Sequence, residues 1–554
     1  MSINRRTFFS KTGIGLTAYS MGIISPISCA NSTSENSNVE TEKSEQQLFI
    51  GEDIALADTV YGKVKGYILR DIYTFKGIPY GESTAGKNRF MPPKKPKKWE
   101  GVKPTVFYGN SAPQNIYDRS PNSYAAFVDH WNYDELSEDC LRLNIWSPGI
   151  DQKKRPVLVW LHGGGFARGN GIEQDGYNGE NISRYGDIVY CSINHRLGPL
   201  GFTNLSFADP KYKDSANVGM LDIIAALEWI QENIENFGGD PNNVTVMGQS
   251  GGGAKVCNVA TMPAAKGLVH KGIALSGTSI QGMDESYSKK LGEYILREAN
   301  LTENEIDQLQ NIPWSEYLNI SHQAYEKLKK DLNNPELTRG GFAPVADGMN
   351  IPKETYFSNN TTEQPDIPML FCSTFHEWNP NRDTPDLENI SIKELIDTLT
   401  PHYGAKTSAI IEGYIKDFPK AKPIEIWALI SSNRKHVIEA ANAKLTQKSP
   451  VYLAWFGWES PLFDGRHRAF HCIDISFWFL NTDLMITHTG GGDAPRKLSI
   501  KMADALISFM KTNDPNTSSL PKWPTYTKEG IETMILNDAC EVKLDPDGNG
   551  RNKI

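Results

Sequence analysis

Apolar and polar positions alternate through residues 58–66, Asp-Thr-Val-Tyr-Gly-Lys-Val-Lys-Gly, which predicts a hairpin strand with glycines at its turns. Later runs are short and mostly apolar: Arg155–Leu161, 187–194, 243–247, Lys271–Leu275, 367–371 and 451–458. Such runs read as strands of a parallel sheet buried on both faces. Between them the period changes. In 219–237, Ile223, Leu227, Ile230 and Ile234 recur at steps of four, three and four, which aligns them on one face of a helix. Gly238-Gly239-Asp240-Pro241 then ends that helix. Further helices are predicted from Gly251 to about Met262 and over 496–511. The stretch 279–365 is more polar and helix-like, and is expected to be an insertion over the active edge of the sheet. Strands alternating with helices predict an α/β fold with helices on both faces of a mostly parallel sheet.

Composition fits a large folded core: 39% of the 554 residues are hydrophobic and 10% aromatic. A net charge of -9 gives no basic face for nucleic acid. The short run of Lys94, Lys95, Lys97 and Lys98 sits among prolines and reads as a solvated loop. Residues 1–29 are set apart. Asn4-Arg5-Arg6-Thr7-Phe8-Phe9 resembles a twin-arginine export signal, and a weakly apolar stretch follows that is too short to span a bilayer. Cys29 closes it, preceded by the small residue Ser28, and is a candidate lipid-anchor site, although Pro26 stands where an aliphatic residue is usual. The expected destination is the bacterial periplasm or cell envelope. Residues 30–47 are rich in Ser, Asn and Glu and read as a flexible linker. The folded domain is expected over 48–554, with no later run long enough to cross a membrane. The seven cysteines show no metal-site spacing, and Cys191, Cys257 and Cys372 read as buried thiols.

Two local patterns carry chemistry. Gly248-Gln249-Ser250-Gly251-Gly252 follows the strand signal Val244-Thr-Val-Met247 and precedes a helix. A serine on so sharp a strand-to-helix turn presents its hydroxyl outward, and glycines beside it let strand and helix backbones approach. The helix N-terminus adds free N–H groups. His162-Gly163-Gly164-Gly165-Phe166 follows another predicted strand. Acyl transfer builds negative charge on a carbonyl oxygen, and backbone amides of a glycine loop can receive it. Gly164, Gly165 and Gly251 are the candidate oxyanion donors, with Ser250 the candidate nucleophile.

With these motifs and several others in order, the chain resembles the type-B carboxylesterase and cholinesterase family, including bacterial para-nitrobenzyl-esterase-like proteins. The other marks are Phe75-Lys-Gly-Ile-Pro-Tyr80, Ser137-Glu-Asp-Cys-Leu-Arg-Leu-Asn-Ile145, Asn194-His-Arg-Leu-Gly-Pro-Leu-Gly-Phe202, Asn217-Val-Gly-Met-Leu-Asp222, Asn236-Phe-Gly-Gly-Asp-Pro241, Asn513-Asp-Pro-Asn516 and Leu520-Pro-Lys-Trp-Pro524. The resemblance implies the α/β-hydrolase fold and a serine esterase acting on a small or medium carboxylic ester, with no metal or organic cofactor. It places the acidic partner at Glu377, after a strand, and the histidine at His471, in Ala469-Phe-His-Cys-Ile-Asp-Ile475. His467, His488 and His376 are chemical rivals. The resulting order of Ser, Glu and His is the one this fold uses.

Two positions depart from the family. Gln249 stands where the family carries Glu, which weakens any inference toward cationic substrates. Ala112 replaces the cysteine that the family pairs with Cys140. Phe166, Trp378, Phe463 and Trp478 are aromatics that either line the substrate pocket or belong to the core. Asp545-Pro-Asp-Gly-Asn-Gly550 opens like a calcium loop, but the chain stops before the acidic twelfth ligand, so a polar tail is expected there. Two other functions fit the same fold. Inactive binding proteins of this family lack the nucleophile or the base, whereas peptidases of the fold often carry repeat-built domains, and no repeat is visible here.

Overall fold

A computed structural model describes residues 46–115, 135–334, 341–357 and 363–554. The export-like segment, Cys29 and most of the 30–47 linker lie outside the described residues. Fifteen strands are described in that part of the chain. In chain order the first seven are β1 (Leu48–Phe49), β2 (Leu56–Thr59), β3 (Gly62–Lys65), β4 (Tyr67–Leu69), β5 (Ile72–Pro79), β6 (Val102–Pro104) and β7 (Arg142–Ser147). The others are β8 (Arg155–Leu161), β9 (Val189–Ile193), β10 (Gly239–Gln249), β11 (Lys271–Leu275), β12 (Met369–Thr374), β13 (Val451–Phe456), β14 (Glu532–Leu536) and β15 (Glu541–Leu544). The predicted hairpin forms as β2 and β3, which join β6 in a small separate sheet.

Twelve strands make the main sheet, in the order β1-β4-β5-β7-β9-β8-β10-β11-β12-β13-β14-β15. From β9 to β14 every pairing is parallel, and the strands outside that block run antiparallel to their neighbours. After β8 the chain enters β9 on one side and then crosses to β10 on the other. The C-terminal end of β8 is therefore a topological switch point, where open α/β sheets leave a crevice for ligands.

Strand periodicity divides the core into two layers. Val157, Val159 and Leu161 point to one face of the sheet, and Leu158 and Trp160 to the other. The first face is covered by helix Val218–Asn233, whose stripe Ile223, Leu227 and Ile230 continues to Ile234 in the same cluster. The second is covered by helix Asp493–Thr512 through Leu498, Met502, Leu506 and Phe509. Each such side chain fully buried is worth roughly 1.5–3 kcal/mol. Two helical excursions have smaller cores of their own. Glu285–Glu298 and Trp314–Leu332 pack with Phe90, Leu200 and Tyr212. Ile392–Tyr403, Thr407–Asp417 and Pro423–Ile430 pack against Trp455 and Ile535.

The structure corrects the sequence reading in two places. Strand β10 begins at Gly239, inside the segment read purely as a helix stop. Gly238 turns the chain in the left-handed region, Gly239 pairs with Arg155, and the register then shifts before Val244. The C-terminus is no free polar tail. Asp547 is fully buried and forms ion pairs with Arg434 and Arg551. The described cysteines are all free thiols, with Cys140, Cys191, Cys257 and Cys372 buried.

Arg196 and Asp222 tie the loop after β9 to helix Val218–Asn233. Both are buried, and the guanidinium donates to both carboxylate oxygens, at 2.6 and 2.8 Å. Removing one member strands a buried charge, so Asp222→Ala is expected to lower stability by about 3–5 kcal/mol. Urea denaturation checks this; a loss below about 1 kcal/mol, the scale of an exposed pair, would contradict it.

Candidate active site

The end of β8 and the head of helix Gly251–Val259 meet backbone to backbone. A Cβ on Gly252 would overlap the Leu161 carbonyl, and one on Gly251 would overlap the backbone of Gly165. Only glycine fits that approach. Ser250 is the residue that turns β10 into the helix. Its backbone is held at φ 58° and ψ -125°, a costly conformation for a side-chain-bearing residue. Its N–H donates to the Leu275 carbonyl of β11 at 2.8 Å. Gly163 lies so close that a Cβ there would stand 3.5 Å from the Ser250 Cβ. The structure thus brings Gly163, Gly165 and Gly251 together around Ser250, with Gly164 between them in the loop.

The second half of the site comes from the ends of β12 and β13. The Phe375 N–H donates to the Phe456 carbonyl at 2.9 Å, and His376 N–H to Ala469 at 3.0 Å. These bonds bring Glu377 beside His471. The His471 Nδ1 lies 2.5 Å from Glu377 Oε2, and Glu377 Oε1 accepts the Thr374 N–H at 2.9 Å. The carboxylate fixes the tautomer: Nδ1 carries the proton and Nε2 is left as the acceptor. Burial pulls the imidazole pKa down. The Cys472 sulfur and the Glu377 carboxylate outweigh this and hold it above the ordinary histidine value. Asp474, fully buried nearby, is pushed up to about 7 by burial and by the charge of Glu377. Burial and the Glu377 charge thus both favour the protonated form of this neighbour.

The rival histidines go elsewhere. The His376 Nδ1 accepts the Ala469 N–H at 3.4 Å, and burial beside Arg468 lowers its pKa to about 3. His467 packs against Phe463, and His488 against Phe470. Of the four aromatics named as pocket candidates, Trp478 is core, buried with its indole N–H on Asp474. Phe463 lies against His467, and Phe166 against Phe202. Trp378 alone stacks on His471, at 4.3 Å between ring centres, while 52% of it stays exposed.

Gln249 joins the two halves. Its side-chain nitrogen lies 3.2 Å from His471 Nε2, and its oxygen accepts from the Cys472 thiol at 3.3 Å. Among the described residues, the His471 ring bonds to Glu377 and Gln249, and none of its hydrogen bonds reaches Ser250. Catalytic hydrogen bonds in unliganded sites are often loose and tighten only around substrate. In the sequence motifs Gln249 stands out only as a departure from the family, and Asp474 only as part of the histidine's flanking sequence. No group of three or more metal-ligating side chains is found among the described residues. Nor does any described helix have the length and apolarity to cross a membrane.

A doubly wound sheet with a strained serine at its switch point and a buried Glu–His pair from later strands defines an α/β-hydrolase. The family model described as the carboxylesterase family matches residues 54–548, and the chain belongs to that family. It is a serine carboxylic-ester hydrolase. It is 32% identical to the para-nitrobenzyl esterase of Bacillus subtilis, over 90% of this chain and 98% of that one. It is 30% identical to the phenmedipham hydrolase of Pseudarthrobacter oxydans, over 88% and 97%. Among solved structures, an esterase from Clostridium hathewayi that can hydrolyse aliphatic aromatic polyesters superposes with a TM-score of 0.77 at 32% identity. That match covers 92% of this chain and 99% of the other.

The pH dependence follows from the His471 environment. A histidine base must be neutral to accept a proton, so with His471 in that role kcat/KM is expected to be lost as pH falls through its pKa, with that limb above 6.5. Glu377→Gln keeps the geometry but removes the carboxylate that, with the Cys472 sulfur, raises the ring. It is expected to cut kcat by about 10³–10⁴ and to move the limb to lower pH. A native limb at or below 6.5 in a pH–rate profile would contradict this.

Proposed function

We propose that hydrolysis runs through Ser250, His471 and Glu377, with an acyl-serine intermediate. The observation that supports this most is the buried His471–Glu377 pair, set beside a serine strained at the head of a helix. On substrate entry the Gln249 amide yields Nε2 of His471 to Ser250. His471 takes the Ser250 proton as the oxygen attacks the ester carbonyl, and Glu377 steadies the imidazolium. The oxyanion is received by the N–H groups of Gly164, Gly165 and Gly251, each worth about 10²–10³ in turnover. His471 returns the proton to the leaving alcohol, and water then releases the acyl group by the same route.

The substrate is a small or medium carboxylic ester. The relatives named for para-nitrobenzyl esters, phenmedipham and aliphatic aromatic polyesters favour an aromatic group on one side of the bond. Trp378, stacked on His471 with an open outer face, offers a platform for it. The twin-arginine-like start and Cys29 support export to the cell envelope, with a lipid anchor at Cys29.

Ser250→Ala is expected to abolish turnover of short p-nitrophenyl esters and labelling by a fluorophosphonate, with an unchanged melting temperature. Retained turnover in the folded variant would defeat the assignment.

A further inference from the structure

Lys255 is the basic residue of helix Gly251–Val259, and it is fully buried. It lies one turn after Gly251, on the same helical face. Its Nζ donates to the His162 carbonyl at 2.9 Å, the residue that opens the glycine run. We propose that Lys255 is a positioning residue for ester hydrolysis: reaching from the nucleophile helix, it fixes the first peptide plane of the glycine run and so aims the oxyanion amides. The inference rests on the oxyanion role given to that run above.

The loop needs such an anchor. Gly164 and Gly165 both adopt positive φ, at 79° and 62°, and three successive glycines have little stiffness of their own. Downstream, the run is pinned by backbone bonds. Ala167 and Arg168 donate to the Gly164 carbonyl, and Gly198 donates to that of Phe166 at 2.7 Å. Upstream, the His162 ring is stacked on His195, 5.0 Å between centres, and turns its Nδ1 to the Gly163 carbonyl at 2.9 Å. The His162 carbonyl belongs to the His162–Gly163 peptide, so a bond to it fixes the plane from which the chain enters Gly164 and Gly165. A donor that carries charge makes a stronger bond than a neutral one and polarises the peptide further.

The cost of this arrangement argues against a packing role. No carboxylate lies within ion-pair distance of Lys255 among the described residues, and its nearest aromatic face is Phe166, at 5.8 Å. Burial lowers its pKa to about 7, opposed by the Glu173 carboxylate, and its charge helps keep the buried His162 and His195 neutral. A methionine of similar length would fill the same space without desolvating a cation.

The test compares the native protein with Lys255→Met and Lys255→Gln. It measures kcat and KM for a p-nitrophenyl ester, inhibition by a trifluoromethyl ketone, and thermal unfolding. The ketone adds to the serine as a tetrahedral oxyanion and reports the amides directly. For Lys255→Met the expected result is an equal or higher melting temperature, KM within about twofold, and kcat lower by about 10–100-fold. The ketone Ki should rise by the same factor, and Lys255→Gln, which keeps a neutral donor, should recover part of both. If the Met variant does not fold, a parallel loss of kcat and ketone affinity in the Gln variant supports the proposal. Native-like kcat and Ki, or a loss confined to KM, overturns it. A native protein that hydrolyses no ester would instead overturn the functional reading beneath it.

Discussion

The end of β8 and the start of helix Gly251–Val259 are packed with no side chain between them: glycines at 251 and 252 let the helix rest on the Leu161 carbonyl and the Gly165 backbone. The rest of the site follows from that approach. Because the helix begins so close to the sheet, the chain leaving β10 must reverse within one residue, and Ser250 takes up the strain. Because β8 and β10 are neighbours at a switch point, the loops that follow them face the same crevice. The glycine run and the serine are therefore adjacent by topology, before any side-chain contact is made.

The other half is assembled by strand ends two and three places further across the sheet from β10. Backbone bonds from Phe375 and His376 to Phe456 and Ala469 zip two loops together, leaving Glu377 and His471 facing one another. The electrostatics there are spare. Glu377 stands beside Asp474, which burial and the Glu377 charge have carried to the edge of neutrality, and Gln249 brings no charge of its own. On the far side of the serine, the Lys255 amine donates to the carbonyl that opens the glycine loop. The structure thus sets a carboxylate behind His471 and an amine behind the glycine run.

The parts legible in the sequence are those whose cause is local. The apolar run of β8 and the stripe of Ile223, Leu227, Ile230 and Ile234 are periodic, and both elements form. The elbow is legible because a close approach demands glycine wherever it occurs. Glu377 and His471 are 94 positions apart, and no spacing rule joins them; the family resemblance did so. The buried Asp547 escaped notice because its partner Arg434 lies 113 residues earlier, so the segment looked like a solvated tail. The start of β10 escaped because Gly-Gly-Asp-Pro obeys local breaker chemistry, while the pairing of Gly239 with Arg155 is a tertiary fact. The helices of 392–430 gave no element in the sequence reading, though they form around a shared apolar core.

The central claim is that one serine hydroxyl lies between an imidazole and a set of amides. A crystal structure of the protein after reaction with a p-nitrophenyl phosphonate ester tests it most directly. The expected density joins phosphorus to Ser250 Oγ, with the phosphoryl oxygen against the N–H groups of Gly164, Gly165 and Gly251 and His471 Nε2 turned toward the adduct. A phosphonate on another residue, or one on Ser250 whose oxygen faces away from those amides, would contradict the account.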